Sequence, residues 1–317
     1  MEKMIISTSP HIRTSISTTR IMADVLIALA PAAIAGTVLF GLRALLIMAV
    51  CVGAAVGAEF LFNILAKKEQ TVGDLSAAVT GLILALCLPV KTEIWQCVVG
   101  AVFAIVIVKC LFGGIGCNFA NPAATARVFM LIAFAASVGG GSATAFMSAE
   151  LTAGATPLEV IKTVGVDADK LPTLVDMLLG NRGGAIGETC AVALILGGVY
   201  LIARRVIHWH VPVVYLATVF VLSFAIKGDV ILALYELLGG GLILAAFFMI
   251  TDYVSTPINP LGKMVFAFGC GIITVLIRFF GSYPEGVSFA ILLMNILSPY
   301  IEKLCARKPL GTGGKTK

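Results

Sequence analysis

The sequence predicts an all-α integral membrane domain of about ten transmembrane helices, set out as two five-helix repeats with the second inverted. Three observations carry this. Hydrophobic residues make up 59% of the 317-residue chain and charged residues 12%, with a mean hydropathy of +1.05. A soluble domain carries about 25% charged residues. Apolar runs near the length needed to cross a bilayer recur along nearly the whole chain. Third, Gly81-Leu82-Ile83-Leu84-Ala85 returns as Gly241-Leu242-Ile243-Leu244-Ala245, 160 residues later. The copies fall in the third and eighth runs, the same place in two sets of five. An odd number of spans per repeat inverts the second copy, and inverted repeats build binding sites near the midplane from broken helices.

The first twenty residues are polar and hydroxyl-rich (Ser7, Thr8, Ser9, Thr14, Ser15, Ser17, Thr18, Thr19). They lack an apolar h-region, so no cleavable signal peptide is expected. A first repeat over 1–146 holds apolar runs at 24–41, 43–65, 74–90, 94–112 and 127–146. A polar loop over 147–188 follows. The second repeat, 189–304, holds runs at 189–204, 210–226, 231–250, 264–280 and 285–304, and 305–317 is a tail. The third and eighth runs end in Pro or Gly punctuation and are expected to be broken or re-entrant.

Charge sets the orientation. With ten spans and a cytoplasmic N-terminus, the inside segments hold fifteen of the 22 basic residues, Lys109, Arg127, Arg204, Arg205 and Lys263 among them. The outside segments hold seven: Arg43, Lys91, Lys162, Lys170, Arg182, Lys227 and Arg278. The positive-inside rule favours this arrangement, with both termini cytoplasmic. The 147–188 loop then lies outside, and its acids (Glu150, Glu159, Asp167, Asp169, Asp176, Glu188) outnumber its three bases.

The eight cysteines form no CxxC pair, and most lie in apolar runs, where a thiol acts as a small hydrophobe. Cys110 and Cys117 have no second pair to complete an iron–sulfur pattern. His11, His208 and His210 do not cluster with acids or cysteines, so no metal site is expected. His208 and His210 flank Trp209 beside Arg204 and Arg205, which reads as an interfacial anchor.

Four segments carry chemistry. Gly113-Gly114-Ile115-Gly116-Cys117-Asn118-Phe119-Ala120-Asn121-Pro122 leads to Arg127. Glycines let the backbone turn and approach a ligand, the asparagines both donate and accept, and Arg127 can pair with an anion. A tight interhelical turn would look the same. Met249-Ile250-Thr251-Asp252-Tyr253-Val254-Ser255-Thr256-Pro257-Ile258-Asn259-Pro260 sets an acid after an apolar run and before two helix-breaking prolines. Asp252 is either an intramembrane functional acid or a helix cap at the interface. Gly183-Gly184-Ala185-Ile186-Gly187-Glu188-Thr189 enters the sixth run. Glu188 either stabilises that helix through its dipole or faces a cofactor held by the loop. In Thr152-Ala153-Gly154-Ala155-Thr156-Pro157-Leu158, the proline biases Thr156 to an extended conformation that presents its hydroxyl. A plain Pro-initiated turn is the alternative.

Together these four segments, in this order, resemble the RnfD/NqrB family of membrane proteins, which serve the Rnf complex and the sodium-pumping NADH:quinone oxidoreductase. The resemblance covers essentially the whole chain, and the short N-terminal lead-in is more like the Rnf member. It implies a ten-helix fold related to urea transporters, in a bacterial cytoplasmic membrane. It implies FMN bound through its phosphate to Thr156, the threonine of Gly154-Ala155-Thr156, attached outside the cytoplasm by a flavin transferase that uses FAD. Ala153 stands where the family commonly has Ser. A second, non-covalent flavin, riboflavin, is compatible with the family. The implied partners are the other Rnf-type subunits (A, B, C, E and G) and membrane lipid, with no nucleic acid. The implied activity is electron relay between ferredoxin and NAD sides, coupled to Na⁺ or H⁺ translocation.

The residues expected to hold cofactor are Thr156, Gly154, Ala155, Asn118, Asn121, Arg127, Glu188 and Thr189. For ion movement the intramembrane acids are the candidates: Asp252 foremost, then Asp24 and Glu236, with Glu59 and Asp74 also in view. Three other readings use the same residues: an NqrB-like component of the quinone reductase, a passive channel or transporter for a small solute, and a scaffold without cofactor. Flavin content separates the redox readings from the last two.

Overall fold

The computed structural model describes residues 17–139, 156–163, 171–281, 283 and 285–306. Its regular elements are helices. Helix α1 spans Thr18–Phe40, and the Ser17 side chain accepts the Arg20 N–H at its start. Gly41, at a φ of 77°, turns the chain directly into α2, Leu42–Leu65. Ser76–Leu86 is α3 and Ile94–Val102 is α4, which continues as π-helix over Phe103–Cys110. Pro122–Ala133 is α5, followed by the short α6, Ala135–Val138. Two short helices, α7 (Pro157–Thr163) and α8 (Leu174–Leu179), lie in the long connection. The second half continues with α9 (Ala191–Ala203), α10 (His210–Lys227), α11 (Val230–Leu238) and α12 (Leu242–Leu244). Helix α12 passes into π-helix at Ala245–Met249, and α13 (Pro260–Phe280) and α14 (Val287–Cys305) complete the chain.

Five described helices, α1, α2, α10, α13 and α14, are long and apolar enough to cross a membrane alone. The eighth run is a bent pair: α11 and the Leu242–Met249 segment meet at 65°. Gly240, at a φ of 61°, supplies the backbone conformation the break needs. The third, fourth, fifth and sixth runs form shorter apolar helices than the hydropathy runs suggest, the third only from Ser76 to Leu86. The fifth begins at Pro122, not 127. The Asn121 side chain caps the Ala123 and Ala124 N–H groups, and Pro122 at the first helical position costs no hydrogen bond.

Small residues bring the helices together, as expected where lipid removes the hydrophobic drive for helices to associate. Helix α9 lies on α1 through Gly197, where an added Cβ would collide with the Ala28 carbonyl oxygen. In α10 and α13, Tyr215 and Thr274 share a buried hydrogen bond of 3.1 Å. The segment before α9 returns into the bundle: the Ile186 and Gly187 N–H groups donate to the Leu88 and Leu86 carbonyls at 3.0 and 2.8 Å. That return carries Arg182, Glu188 and Thr189 into buried positions.

The bundle has two ends. The start of α1 lies at one, with 66–75, 111–121, 204–209 and 250–259: Thr19 reaches the Gly73 carbonyl, Tyr253 reaches the Val206 carbonyl, and Glu302 near the end of α14 accepts from the Ile258 N–H. At the other end lie α7, α8 and the α13–α14 connection, where Lys162 donates to the Gly281 and Tyr283 carbonyls.

Candidate functional site

The expected cofactor residues do not form one site. They divide between two, at opposite ends of the Leu242–Met249 segment. Gly154 and Ala155 lie outside the described residues.

The first site is a cavity of about 120 Å³ at the α1-start end. Its polar lining includes Lys109, Ser76, Asn118, Asn121, Thr251 and Asp252, and its apolar wall includes Val79, Ile83, Phe247 and Phe248. Asn121 joins the halves of the chain: its amide donates to the Met249 carbonyl at 3.2 Å. Asn118 donates to the Ala120 carbonyl, which fixes its own loop. Asp252 accepts from Ser255 at 2.7 Å and from the Val254 N–H at 3.4 Å, so it caps the turn after the π-helix as well as lining the cavity.

Lys109 enters this cavity from the π-helical part of α4. Its ammonium donates to Glu59 at 2.8 Å and to Ser76 at 2.6 Å, with both charged side chains almost fully buried. The network extends through Thr71 to Asn63 and through Ser76 to Asp74. One Glu59 oxygen, Oε2, is buried with no partner. In the charge pattern of the sequence Lys109 counts only as an inner basic residue. A lysine inside an apolar run is as costly as an acid there, and that cost is the signal that points to this network.

The second site is a cluster of six charged side chains around the break in the 230–249 span. Arg278 donates to the Glu236 carboxylate at 3.0 Å and to the Gly239 carbonyl at 3.1 Å, and its Nε is buried without a partner. Arg127 donates to the Val138 carbonyl at 3.1 Å and faces Glu285 at 3.6 Å. Arg182 holds the return segment by donating to the Glu188 and Thr189 carbonyls at 2.6 and 3.3 Å. Glu188 lies over Gly241, with Oε2 buried and unpartnered. A cavity of about 20 Å³ separates Glu188, Arg127, Glu285 and Cys87.

Glu188 and Arg182 belong to the connecting segment, outside the spanning helices. Burial pushes the Glu188 carboxyl up to about 8, Glu285 adds to the rise, and Arg127 and Arg182 oppose it. Burial also lowers the Arg182 guanidinium to about 10, which leaves it cationic at neutral pH.

Thr156 stands beside this second cluster. It begins α7, is buried, and its hydroxyl oxygen accepts the Glu159 N–H at 3.2 Å. Two residues on, Leu158 packs against Gly239 and Gly240, and Gly240 also adjoins Arg278 and Glu285. A phosphoester at Thr156 keeps the bridging oxygen that caps α7. It brings a phosphate to the end of the bundle where Arg278 has an unused N–H and the ion pair of Arg127 with Glu285 is long. The residues present therefore fit an FMN ester. Thr189, expected beside it, is fully buried and its hydroxyl has no partner.

Three further placements stand out. Arg127, assigned to the inner segments, pairs with Glu285, which opens the tenth run beside the connection assigned outside, because Arg127 lies well into α5, more than a turn beyond Asn121. Glu285 and Arg278 stand in none of the four motifs, yet they complete the second cluster. The acids expected to move ions have separate partners: Asp24 pairs with Arg204 at 3.2 Å and accepts from Tyr200 at 3.0 Å, Glu236 pairs with Arg278, and Asp252 caps its own turn.

Comparison with known proteins gives a consistent result. The model of the NQR2, RnfD, RnfE family matches residues 5–311. The chain is 44% identical over 310 residues to the D subunit of the Na(+)-translocating ferredoxin:NAD(+) oxidoreductase complex of Acetobacterium woodii, covering 96% of this chain and 95% of the relative. It is 38% identical over 318 residues to the D subunit of the proton-translocating ferredoxin:NAD(+) oxidoreductase complex of Clostridium ljungdahlii, covering 97% and 96%. It is 35% identical over 348 residues to the D subunit of the ion-translocating oxidoreductase complex of Stutzerimonas stutzeri, covering 96% and 95%.

Proposed function

The chain belongs to the NQR2, RnfD, RnfE family, and from that premise we propose that it is the flavin-carrying D subunit of an ion-translocating ferredoxin:NAD⁺ oxidoreductase of the Rnf type. The observation that carries the flavin reading is the buried Thr156 at the cap of α7, two residues before Leu158, which packs at Gly240 where Arg278 and Glu285 also lie. FMN at Thr156 supplies one-electron and two-electron redox chemistry. The chain supplies the rest. Thr156 anchors the phosphate, Arg278 and Arg127 balance its charge, and the buried return segment 181–189 keeps bulk water from the cluster. The A, B, C, E and G components of the complex would pass electrons to and from this position. A flavin transferase acting on the 147–188 loop would load it.

We assign a second, non-covalent flavin to the 120 Å³ cavity. An apolar wall facing asparagine, threonine and lysine groups suits a planar ring with polar edges. The cavity would open to receive it. Two inverted five-helix repeats fit the common Gly-Leu-Ile-Leu-Ala segment and its place in the third and eighth apolar runs. In that arrangement both termini face the cytoplasm and α7 faces outside. Asp252, on the cavity wall at the inner end, is the acid we assign to the coupling ion, Na⁺ or H⁺.

Replacing Thr156 in the native complex tests the reading. Thr156→Ala should abolish in-gel flavin fluorescence of this chain and ferredoxin-dependent NAD⁺ reduction while the complex still assembles. Full activity in that variant contradicts it. Val79→Phe, which fills the cavity, should release acid-extractable riboflavin and leave the covalent FMN; unchanged riboflavin content contradicts the cavity assignment.

A further inference from the structure

The Glu188 carboxyl calls for an explanation that flavin binding does not give. It is 5% exposed, and its Oε2 meets no donor. Its Oε1 lies against the backbone at Gly241, where a Cβ would stand 2.8 Å away. An ionised carboxylate with one oxygen left without a donor in a dry interior is less stable than a neutral one, and the backbone at Ala185 opposes this only in part. Every charged group near it is committed elsewhere. On its own segment, Arg182 spends its donors on the Glu188 and Thr189 carbonyls and on the Met177 sulfur. On α5, Arg127 is turned to Val138 and Glu285. On α13, Arg278 serves Glu236 of α11 and the Gly239 carbonyl. Cys87, after α3, and Cys190, before α9, are the nearby thiols. The remaining neighbour is a second carboxylate: Glu285 lies across the small cavity, with its side chain 21% exposed at the α7 end of the bundle.

We propose that Glu188 is a proton-binding site that holds its proton in the resting protein and exchanges it across the 20 Å³ cavity with Glu285 and the aqueous face at the α7 end. When the proton leaves, the Glu188 O–H bond breaks and an O–H bond forms on Glu285 or on a water in the cavity. The carboxylate left behind is held by Arg127, which the protonated Glu285 releases. Transfer between the two carboxyls conserves the charge of the cluster, and loss of the proton to the aqueous face leaves one added negative charge for Arg127 to balance. The raised affinity of Glu188 for its proton agrees with this geometry. The proposal does not need a flavin at Thr156, although the two readings share Arg127.

The test is infrared difference spectroscopy on the intact purified complex, titrated across neutral to alkaline pH in H₂O and D₂O. The expected result is a protonated-carboxyl band at neutral pH that shifts in D₂O, disappears on alkaline titration, and is absent in Glu188→Gln. In Glu285→Gln the same band should disappear at lower pH, because the repelling carboxylate is gone and Arg127 is free. If Glu188→Gln fails to assemble, the Glu285→Gln shift decides the matter alone. A band unchanged in Glu188→Gln, or unmoved in Glu285→Gln, overturns the proposal. A carboxylate signal that responds to sodium chloride and not to pH overturns it in favour of a metal-cation site.

Discussion

Single residues decide where charge is tolerated in this chain. The Lys109–Glu59 pair is buried on both sides, and its energy comes from keeping each charge matched rather than from the pair as such. Glu59→Gln should therefore lower the stability of the protein by about 3–5 kcal/mol, because it strands the ammonium. The double change Glu59→Leu with Lys109→Met should recover most of that loss. Thermal unfolding in detergent checks both, and equal stability of Glu59→Gln and the wild type contradicts the argument. The chemically useful segments are legible in the sequence, but their grouping is not. Asn121 and Arg127 are six apart, so on a helix they stand about 9 Å apart along the axis. One lines the cavity at the α1-start end and the other meets Glu285. Their common motif hides that separation. Glu59 and Lys109 are fifty residues apart, and nothing local announces such a pair.

At the scale of elements, helix proximity rests on small side chains. Gly197 lets α9 lie directly on the backbone of α1 at Ala28. Gly197→Ala should cost about 1–3 kcal/mol through overpacking, read as a lower unfolding temperature. No change would mean that the two helices part freely. The long helices α1, α2, α10, α13 and α14 are legible from hydropathy because each fills a whole apolar run. The shorter ones are less so. The run at 74–90 includes a stretch of connection that is apolar because it is buried: Cys87 and Leu88 follow α3. Hydropathy reports burial, and only the hydrogen-bond pattern separates a helix from an apolar loop. The bend in the 230–249 span is legible, since Gly239-Gly240-Gly241 cannot hold a rigid helix.

Across the whole molecule, two polar sites lie at opposite ends of one segment of the bent span. The Thr156 cluster stands at one end and the Asp252 cavity at the other, with Leu242–Met249 between them. Under the proposed function FMN stands at the first end, and the second flavin and the coupling ion share the other. Asp252→Asn should then reduce Na⁺ or H⁺ uptake into inverted vesicles more than it reduces ferredoxin-dependent NAD⁺ reduction. Equal rates of both in the variant and the wild type would remove Asp252 from the coupling path. The family is legible in the sequence because four motifs occur in one order along the whole chain. The Glu188–Glu285 pairing is not, because it depends on the return of 181–189 into the bundle, which no periodicity marks.

The central claim is that Thr156 carries FMN, and the most direct test is peptide mass spectrometry on the protein purified from its native membrane. The account predicts a peptide containing Thr156 heavier by FMN less one water, fluorescent as a flavin, with the added mass fragmenting at that threonine. A bare Thr156 in a complex that still transfers electrons, from cells with an active flavin transferase, would contradict it.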